Sequence, residues 1–425
     1  MLDYVLRDGR VLLVARATRG VAYGFVAVIL ASYLQALGAD AATIGAVLGL
    51  ALGSGAALSL VAGRFADRFG RRRFLALMGV SMFAAGLILA FTDSVAGAAA
   101  ACAFGALSPT AMEVGPFLSV EQAVLPQVTR AARRADMFAW YNLVGNFAAA
   151  FGALLSGAAP AIGAAVGGDT VAGFHAMFLA YGVIGLAASA MALSLTRGVE
   201  APASGAGPTR GRLGPEGRRT VRSLAALFAV DSFAGGMVIR TFVAFWLAVV
   251  FAPSVEVLGL VFFGANMLSG ISFLVAARIA RRLGLIRTMV YTHIPSNLLL
   301  MAFPFSPSFE VAAALYLARL SMAQMDVAPR QLFVVTVVRP DERTAAAAVT
   351  NTARSVAQAG GPFALGAIAS ATFLGAPFAV AGALKIAYDL VLLQRFGSVA
   401  ADGWAHEDGG VDSAPANAGS PPPDL

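Results

Sequence analysis

The chain has 425 residues, of which 59% are hydrophobic and only 12% charged, with a formal net charge of +7 and a mean hydropathy of +0.77. An ordinary soluble domain carries about 25% charged residues, so a soluble chain of this length would need charged surfaces that this composition does not supply. The basic residues lie in short clusters between apolar runs, which speaks against a nucleic-acid surface and matches the way membrane topology is encoded. Cys102 is the single cysteine, so no intrachain disulfide forms. His175, His293 and His406 show no metal-ligand spacing, and Lys385, the single lysine, sits in GALKIA rather than in a P-loop. No metal, cofactor or ATP-driven pump is expected.

A helix needs about 20 apolar residues to cross the hydrocarbon core. Twelve such runs are predicted, at 12–37, 43–63, 74–92, 95–125, 137–159, 172–195, 223–250, 256–277, 286–303, 309–337, 345–370 and 374–396. They are long and lack period-two alternation, so they read as helices. The first run carries Arg16 and Arg19 and exceeds a signal-peptide core, so it reads as a retained helix. The loops after odd-numbered helices hold no Arg or Lys. Those after even-numbered helices hold Arg64, Arg68, Arg71, Arg72 and Arg73, then Arg130, Arg133 and Arg134, and so on to Arg339 and Arg343. That parity follows the positive-inside rule with both termini cytoplasmic in a cell membrane.

The organisation expected is an all-α membrane protein of two six-helix bundles, residues 1–196 and 223–397. A cytoplasmic linker, 197–222, rich in Gly, Pro and Arg, joins them, and a polar, Pro-rich tail, 398–425, reads as disordered. The halves repeat weakly. A shift of 214 residues places Gly45 on Gly259, Arg64 on Arg278 and Gly70 on Gly284; a shift of 209 places Gln122 on Gln331 and Asn142 on Asn351. Parallel repeats of this kind are a transporter architecture.

The stretch GRFADRFGRRR, residues 63–73, concentrates charge in a chain that avoids it. Gly63, Asp67, Arg68, Gly70, Arg71 and Arg72 resemble the helix 2–3 loop signature of the major facilitator superfamily, GxxxDRxGRR; the second copy, ARIARRLGLIR at 277–287, keeps Arg278, Arg282 and Gly284. The resemblance covers residues from about 10 to 396 and implies a 12-helix secondary transporter. In it, helices 1, 4, 7 and 10 line a central cavity and the loop acts as a latch for the outward-facing state. From the residues themselves, Gly63 would allow close helix approach and Gly70 a tight turn, while the arginines would reach lipid headgroups. Asp67 would cap a helix or pair with arginine. Topology and lipid anchoring alone are the plainer reading of the same stretch.

Ionisable residues inside a bilayer are costly and therefore informative. Arg16 and Arg19 either snorkel to the surface or form a gate between the halves with Asp231. Glu121 is expected to pair with a latch arginine. Glu113, between Pro109 and Pro116 on a helix those prolines should distort, is the first proton-exchange candidate, with Asp326 second. Arg319, Asp326 and Arg330 fall on one face of an unbroken helix 10, with Asp326 and Arg330 as an i,i+4 pair. Asn351, Arg354 and Gln358 on helix 11, and Asn142 and Asn146 on helix 5, form polar stripes that bind solute or join helices. Asp231 and Arg240 are nine residues apart and face opposite ways unless Gly235-Gly236 unwinds helix 7; Arg240 is the cavity candidate. Lys385 and Asp389 read as a local i,i+4 pair.

The functional expectation is a monomeric secondary transporter of a small organic solute working by alternating access, with proton-coupled export as the first reading. Helix 5 lacks the Gly-Pro that follows the glycines in drug–proton antiporters of the family, which speaks against multidrug export. Proton-coupled uptake of an organic anion is the alternative, because the cavity helices carry six arginines (16, 19, 240, 319, 330, 354) against four acids (113, 121, 231, 326). A non-transporting sensor or scaffold is the alternative of another class. No enzymatic motif is present.

Overall fold

The computed structural model describes residues 6–104, 107–110, 115–130, 134–200, 213–339 and 342–397. Glu113 and the tail from residue 398 lie outside them. The fold is all-helical: α1 (Arg7–Ala36), α2 (Ala41–Phe69), α3 (Arg71–Phe91), α4 (Val95–Phe104), α5 (Pro116–Val124), α6 (Arg134–Leu155), α7 (Ala159–Ala165) and α8 (Thr170–Ser194) make the first half. The second half comprises α9 (Pro215–Met237), α10 (Arg240–Phe251), α11 (Val255–Leu283), α12 (Leu285–Ala302), α13 (Phe309–Leu320), α14 (Val327–Thr336), α15 (Arg343–Ala371) and α16 (Ala376–Phe396). Helix α9 starts at Pro215, inside the stretch expected to be linker. Eight helical segments among the described residues are long and apolar enough to cross a membrane. With the shorter or interrupted helices between them, the order is consistent with twelve crossings.

Three crossings are broken, each for a local reason. Pro116 opens α5, and residues 107–110, which contain Pro109, are not helical. Val238 and Ile239 leave the helical region just after Gly235-Gly236 and separate α9 from α10. Turns over residues 321–326 separate α13 from α14. Helix 10 is therefore not continuous, and Arg319 does not share a helix face with Asp326 and Arg330; the i,i+4 pair survives, the longer stripe does not.

The halves are built alike. In the first, α3 packs on α8 and α1 on α6; in the second, α12 packs on α16 and α9 on α15. These are the third-on-sixth and first-on-fifth crossings of each half. Between halves, α2 meets α15, α6 meets α11 and α1 meets α10. The tightest approaches lie toward the face away from the arginine-rich loops, and the glycine pair brought together by the sequence repeat makes two of them. A methyl group on Gly45 would stand 2.6 Å from the carbonyl oxygen of Pro362, and one on Gly259 would stand 2.7 Å from that of Ala153. Toward the arginine-rich face, α5 and α14 pack chiefly within their own halves.

Because backbone, not a flexible side chain, opposes these two glycines, neither site has room to adapt. Gly45→Val and Gly259→Val are each expected to cost about 1–3 kcal/mol of stability, as overpacking does, read as a drop of several degrees in the melting temperature of detergent-purified protein. Melting unchanged from wild type would show that the halves do not meet there.

Candidate functional site

At the arginine-rich face the loop between α2 and α3 turns on Gly70, whose φ of +99° suits glycine. Asp67 accepts a bond from Arg71 Nε at 2.7 Å, the arginine pairing foreseen for it. The N-terminus of α3 is capped instead by Glu200, which accepts from the backbone N–H of Arg71 at 2.6 Å and of Arg72 at 3.4 Å. Arg71 also donates to Val199 O at 3.2 Å, and Arg72 to Leu193 O at 2.5 Å. The motif thus ties α2 and α3 to the end of α8 within one half. Arg68 is exposed. Gly63 has no neighbour within 4 Å of where a Cβ would stand, so the close approach expected of it does not occur. The second half has a carboxylate cap at a different helix, the first of its bundle: Glu342 accepts from Gly214 N at 2.5 Å, before the first turn of α9, and from Arg339 at 3.3 Å. The Gly214 N–H first, and then Arg339, hold its carboxyl below the usual glutamate range.

Inside the first half, Arg19 on α1 is buried and donates to both oxygens of Glu121 on α5, at 2.8 and 2.7 Å. Tyr141 on α6 donates to Glu121 Oε2 at 2.5 Å. The Arg19 guanidinium lies 4.3 Å from the centre of the Phe117 ring, and that of Arg16 lies 4.7 Å from the centre of Tyr141. Two expectations are corrected here. Glu121 pairs with Arg19, not with a latch arginine, because the bidentate pair is already complete on neighbouring helices. Neither Arg16 nor Arg19 snorkels: both are at most 4% exposed.

The second half holds a larger cluster. Asp231 on α9 accepts from Lys385 Nζ on α16 at 2.5 Å, and lies 3.6 Å from Arg330 Nη1 on α14 and 3.8 Å from His293 Nε2 on α12. Arg330 pairs with Asp326 at 2.7 Å. His293 Nδ1 lies 3.0 Å from both oxygens of Asp389, which Asn297 also approaches at 3.5 Å. Arg354 on α15 donates to Ser232 at 3.0 Å. The gate proposed between Asp231 and Arg16 or Arg19 is therefore not formed: Asp231 is held by Lys385 and Arg330 of its own half, with the His293 ring beside it. Lys385 and Asp389 do not pair locally, either; one turns to Asp231 and the other to His293.

Arg240 is different. It opens α10 at the helix break and is 7% exposed, with no hydrogen-bond partner for its buried Nη1 and Nη2 among the described residues. A cation at a helix N-terminus meets the positive end of the helix dipole, which adds to the cost. Arg319 on α13 has a buried Nε without a partner, and its charge interacts with Arg240, Tyr316 and Asp231. Neither arginine has a carboxylate within ion-pair distance among the described residues. Beside Arg240, Thr241 donates across the halves to Pro109 O at 2.7 Å. Beyond Arg240, toward the closed face, Trp246 packs on Phe303 with ring centres 4.6 Å apart and on Phe378 at 5.6 Å.

The polar stripes divide. Asn146 is buried and donates to Asn142 O at 3.0 Å, while Asn142 is exposed. Asn351 is exposed; Arg354 turns to α9, and Gln358 lines a small gap between α2 and α15 with Leu52, Ala56, Ser59 and Ser355. Sequence reasoning missed Glu200, Tyr316, the shared role of His293, Lys385 and Asp389, and a buried pair on α11, Asn266 and Ser269, whose side-chain polar atoms have no partner. Charges on helices outside the four expected to line the cavity were the available signal for the middle three. Among the described residues, no group of three or more His, Cys, Asp or Glu side chains could hold a metal ion.

Two pseudo-symmetric helical bundles, broken helices at their junction and unpaired charge beside the breaks define a membrane protein of the alternating-access transporter architecture. The sequence profile of the Major Facilitator Superfamily matches residues 12–362, and the chain belongs to that family. It is 25% identical over 421 residues to the uncharacterized membrane protein YJR124C of Saccharomyces cerevisiae, covering 92% of this chain and 94% of that one. Among solved structures, the nucleoside transporter NupG superposes with a TM-score of 0.72 at 14% identity, over 92% of this chain and 99% of that one. A bacterial homologue of the human lysosomal transporter Spinster, inward-facing and occupied, gives 0.69 at 16% identity, over 92% and 97%. The human organic anion transporter MFSD10 gives 0.61 at 14% identity, over 91% and 99%. At such identities these likenesses speak for the fold.

The Glu342 cap carries a pH signature. A carboxylate whose folded pKa is depressed stabilises above its ordinary value, here 4.5, and loses that contribution as the pH falls through the folded value. Glu342→Gln is expected to melt below wild type at pH 7, and the gap should narrow as the pH drops below 4.5. A gap constant from pH 7 to pH 3 would contradict the charged cap.

Proposed function

We propose that the protein is a secondary active transporter that moves a small organic anion by alternating access, with Arg240 as the group that meets the anion. The carrying observation is the buried guanidinium of Arg240, unpartnered at the N-terminus of a half-helix. Leaving a buried charge uncompensated costs several kcal/mol, and half-helix N-termini in transporters face anionic groups. The charge balance supports the same reading. Arg19 is matched by Glu121; Lys385, Arg330 and Arg354 are matched in number by Asp231, Asp326 and Asp389. Of the six arginines counted in the sequence, Arg240 and Arg319 have no carboxylate within ion-pair distance among the described residues, while Arg16 lies against the Tyr141 ring.

The arginine-rich face is assigned to the cytoplasm, with both termini there and the protein a monomer in the cell membrane. Exposed Arg64, Arg68 and Arg73 suit contact with anionic headgroups. Packing at the opposite face fits a state open to the cytoplasm. Coupling to protons remains part of the reading. Of the two carboxylates first considered for it, Asp326 is engaged by Arg330, and Glu113 stays a candidate from sequence. Uptake of an anion with protons is favoured over export, because a cavity bearing surplus positive charge binds an anion more readily when the proton has been bound as well.

The test is a melting screen of purified protein with gluconate against glucose, and benzenesulfonate against benzyltrimethylammonium. A ligand of the folded state raises the melting temperature by RT ln(1 + [L]/Kd), about 2.7 kcal/mol at 100 Kd. Stabilisation by the anions alone, abolished in Arg240→Met, is expected. The ligand-free Arg240→Met protein should melt a few degrees above wild type, since it loses an uncompensated charge. Stabilisation by the cation alone, or anion stabilisation intact in Arg240→Met, would sink the proposal.

A further inference from the structure

The cluster around His293 sets an imidazole between two carboxylates. His293 sits on α12, a third-type crossing of its half and not one of the helices that carry Arg240 or Arg319. It is 5% exposed, yet it is flanked by two carboxylates on two other helices. With Nδ1 placed 3.0 Å from both oxygens of Asp389, the neutral ring carries its hydrogen on Nδ1 and donates it there. Nε2 is then the free lone pair, aimed at Asp231 Oδ1 at 3.8 Å.

We infer that His293 is a proton-binding site of the transport cycle, taking its proton on Nε2 and holding it between Asp231 and Asp389. The inference rests on the transporter reading but not on the identity of the solute.

The groups facing the imidazole decide what that proton does. From α16 come Asp389, Lys385 and the ring of Tyr388, whose centre is 6.3 Å away. From α9 comes Asp231, which already receives Lys385 at 2.5 Å and Arg330 of α14 at 3.6 Å. Asp326 on α14 is taken by Arg330, Arg354 on α15 binds Ser232 beside Asp231, and Asn297 is on the same helix as His293. With a neutral imidazole, the three carboxylates match Lys385, Arg330 and Arg354 in charge. A proton on Nε2 leaves the cluster with one unit of excess positive charge and sets a third strong donor against Lys385 and Arg330 for the same carboxylate.

Asp231 is the link to the solute. It lies on α9, one break away from Arg240 at the start of α10. An excess charge in the cluster is offset by an anion at Arg240, and a competition for Asp231 acts directly on the helix that carries the break. Proton and anion therefore favour each other, and by linkage the effect is reciprocal. The proton enters from bulk water, adds to Nε2 without any other bond being made or broken, and leaves by the same atom.

The decisive experiment is a 15N NMR titration of histidine-labelled protein from pH 5 to pH 8, with the three imidazoles assigned by His175→Gln, His293→Gln and His406→Gln. The expected result is a His293 signal that passes from the Nδ1–H tautomer to the imidazolium within that range. In Asp231→Asn its proton affinity should fall at least about tenfold, the loss of one pH unit of charge stabilisation. A His293 signal neutral throughout, or one indifferent to Asp231→Asn, overturns the inference. The second arm measures binding of gluconate and benzenesulfonate, whose charge is constant between pH 6 and pH 8. Tighter binding at pH 6 in wild type that becomes flat in His293→Gln supports the coupling, and pH dependence retained in His293→Gln refutes it. If neither anion binds at any pH, the anion reading falls while the titration still decides the proton site.

Discussion

Charge inside a bilayer has to be matched, and the interior of this protein is arranged around that requirement. Breaking a buried ion pair costs about 3–5 kcal/mol, because it strands the partner in a low dielectric. Each half meets the requirement separately. The first half joins α1, α5 and α6 through Arg19, Glu121 and Tyr141. The second joins α9, α12, α14 and α16 through Asp231 and its neighbours Lys385, Arg330 and His293. Because these pairs close within a half, each bundle is a rigid unit, and the junction between halves is left to glycine contacts, apolar packing and the Thr241–Pro109 bond. That division suits two bodies that rock against each other, since among the described residues no ion pair joins the halves.

Against this background the unpaired Arg240 stands out, and the broken helices explain how it is tolerated. The break in the seventh crossing lies where the halves meet, with Thr241 beside it reaching Pro109 of the first half, and a membrane permits irregular backbone only in protein-lined space. Pro109 supplies a carbonyl there, α10 begins there, and α13 ends close by with Arg319. Aromatic side chains of α10 and α16 seal the far side. A small anion entering this space would find a fixed guanidinium and a second arginine within electrostatic reach, with little of either to reorganise.

The architecture was legible in the sequence because it is carried by long signals. Run length marks the crossings, arginine parity marks the faces, and the GRFADRFGRRR stretch marks the family. The breaks were partly legible: Pro109, Pro116 and Gly235-Gly236 announced two of the three, whereas nothing in Ser321–Asp326 resembles a helix breaker, and helix 10 was read as continuous. Pairing between helices was the least legible. An i,i+4 spacing makes Lys385 and Asp389 look like a local pair, but spacing along one helix says nothing of what the neighbouring helices offer. Asp231 and His293 are stronger partners and lie 154 and 96 residues away in the chain. Likewise, Gly63 was read by motif as a packing glycine, while the close approaches occur at Gly45 and Gly259, which only the repeat had singled out. The carboxylate cap on α3 comes from Glu200, in a segment that looked like plain linker.

The central claim is that the unpaired guanidinium at the helix break is where the solute's negative charge sits. The most direct measurement is an anomalous-diffraction map of crystals grown with 4-iodobenzenesulfonate. The expected result is a single ordered molecule whose sulfonate lies within hydrogen-bond distance of Arg240, lost in crystals of Arg240→Met. An ordered molecule bound elsewhere between the halves, with Arg240 still unpartnered, would contradict it.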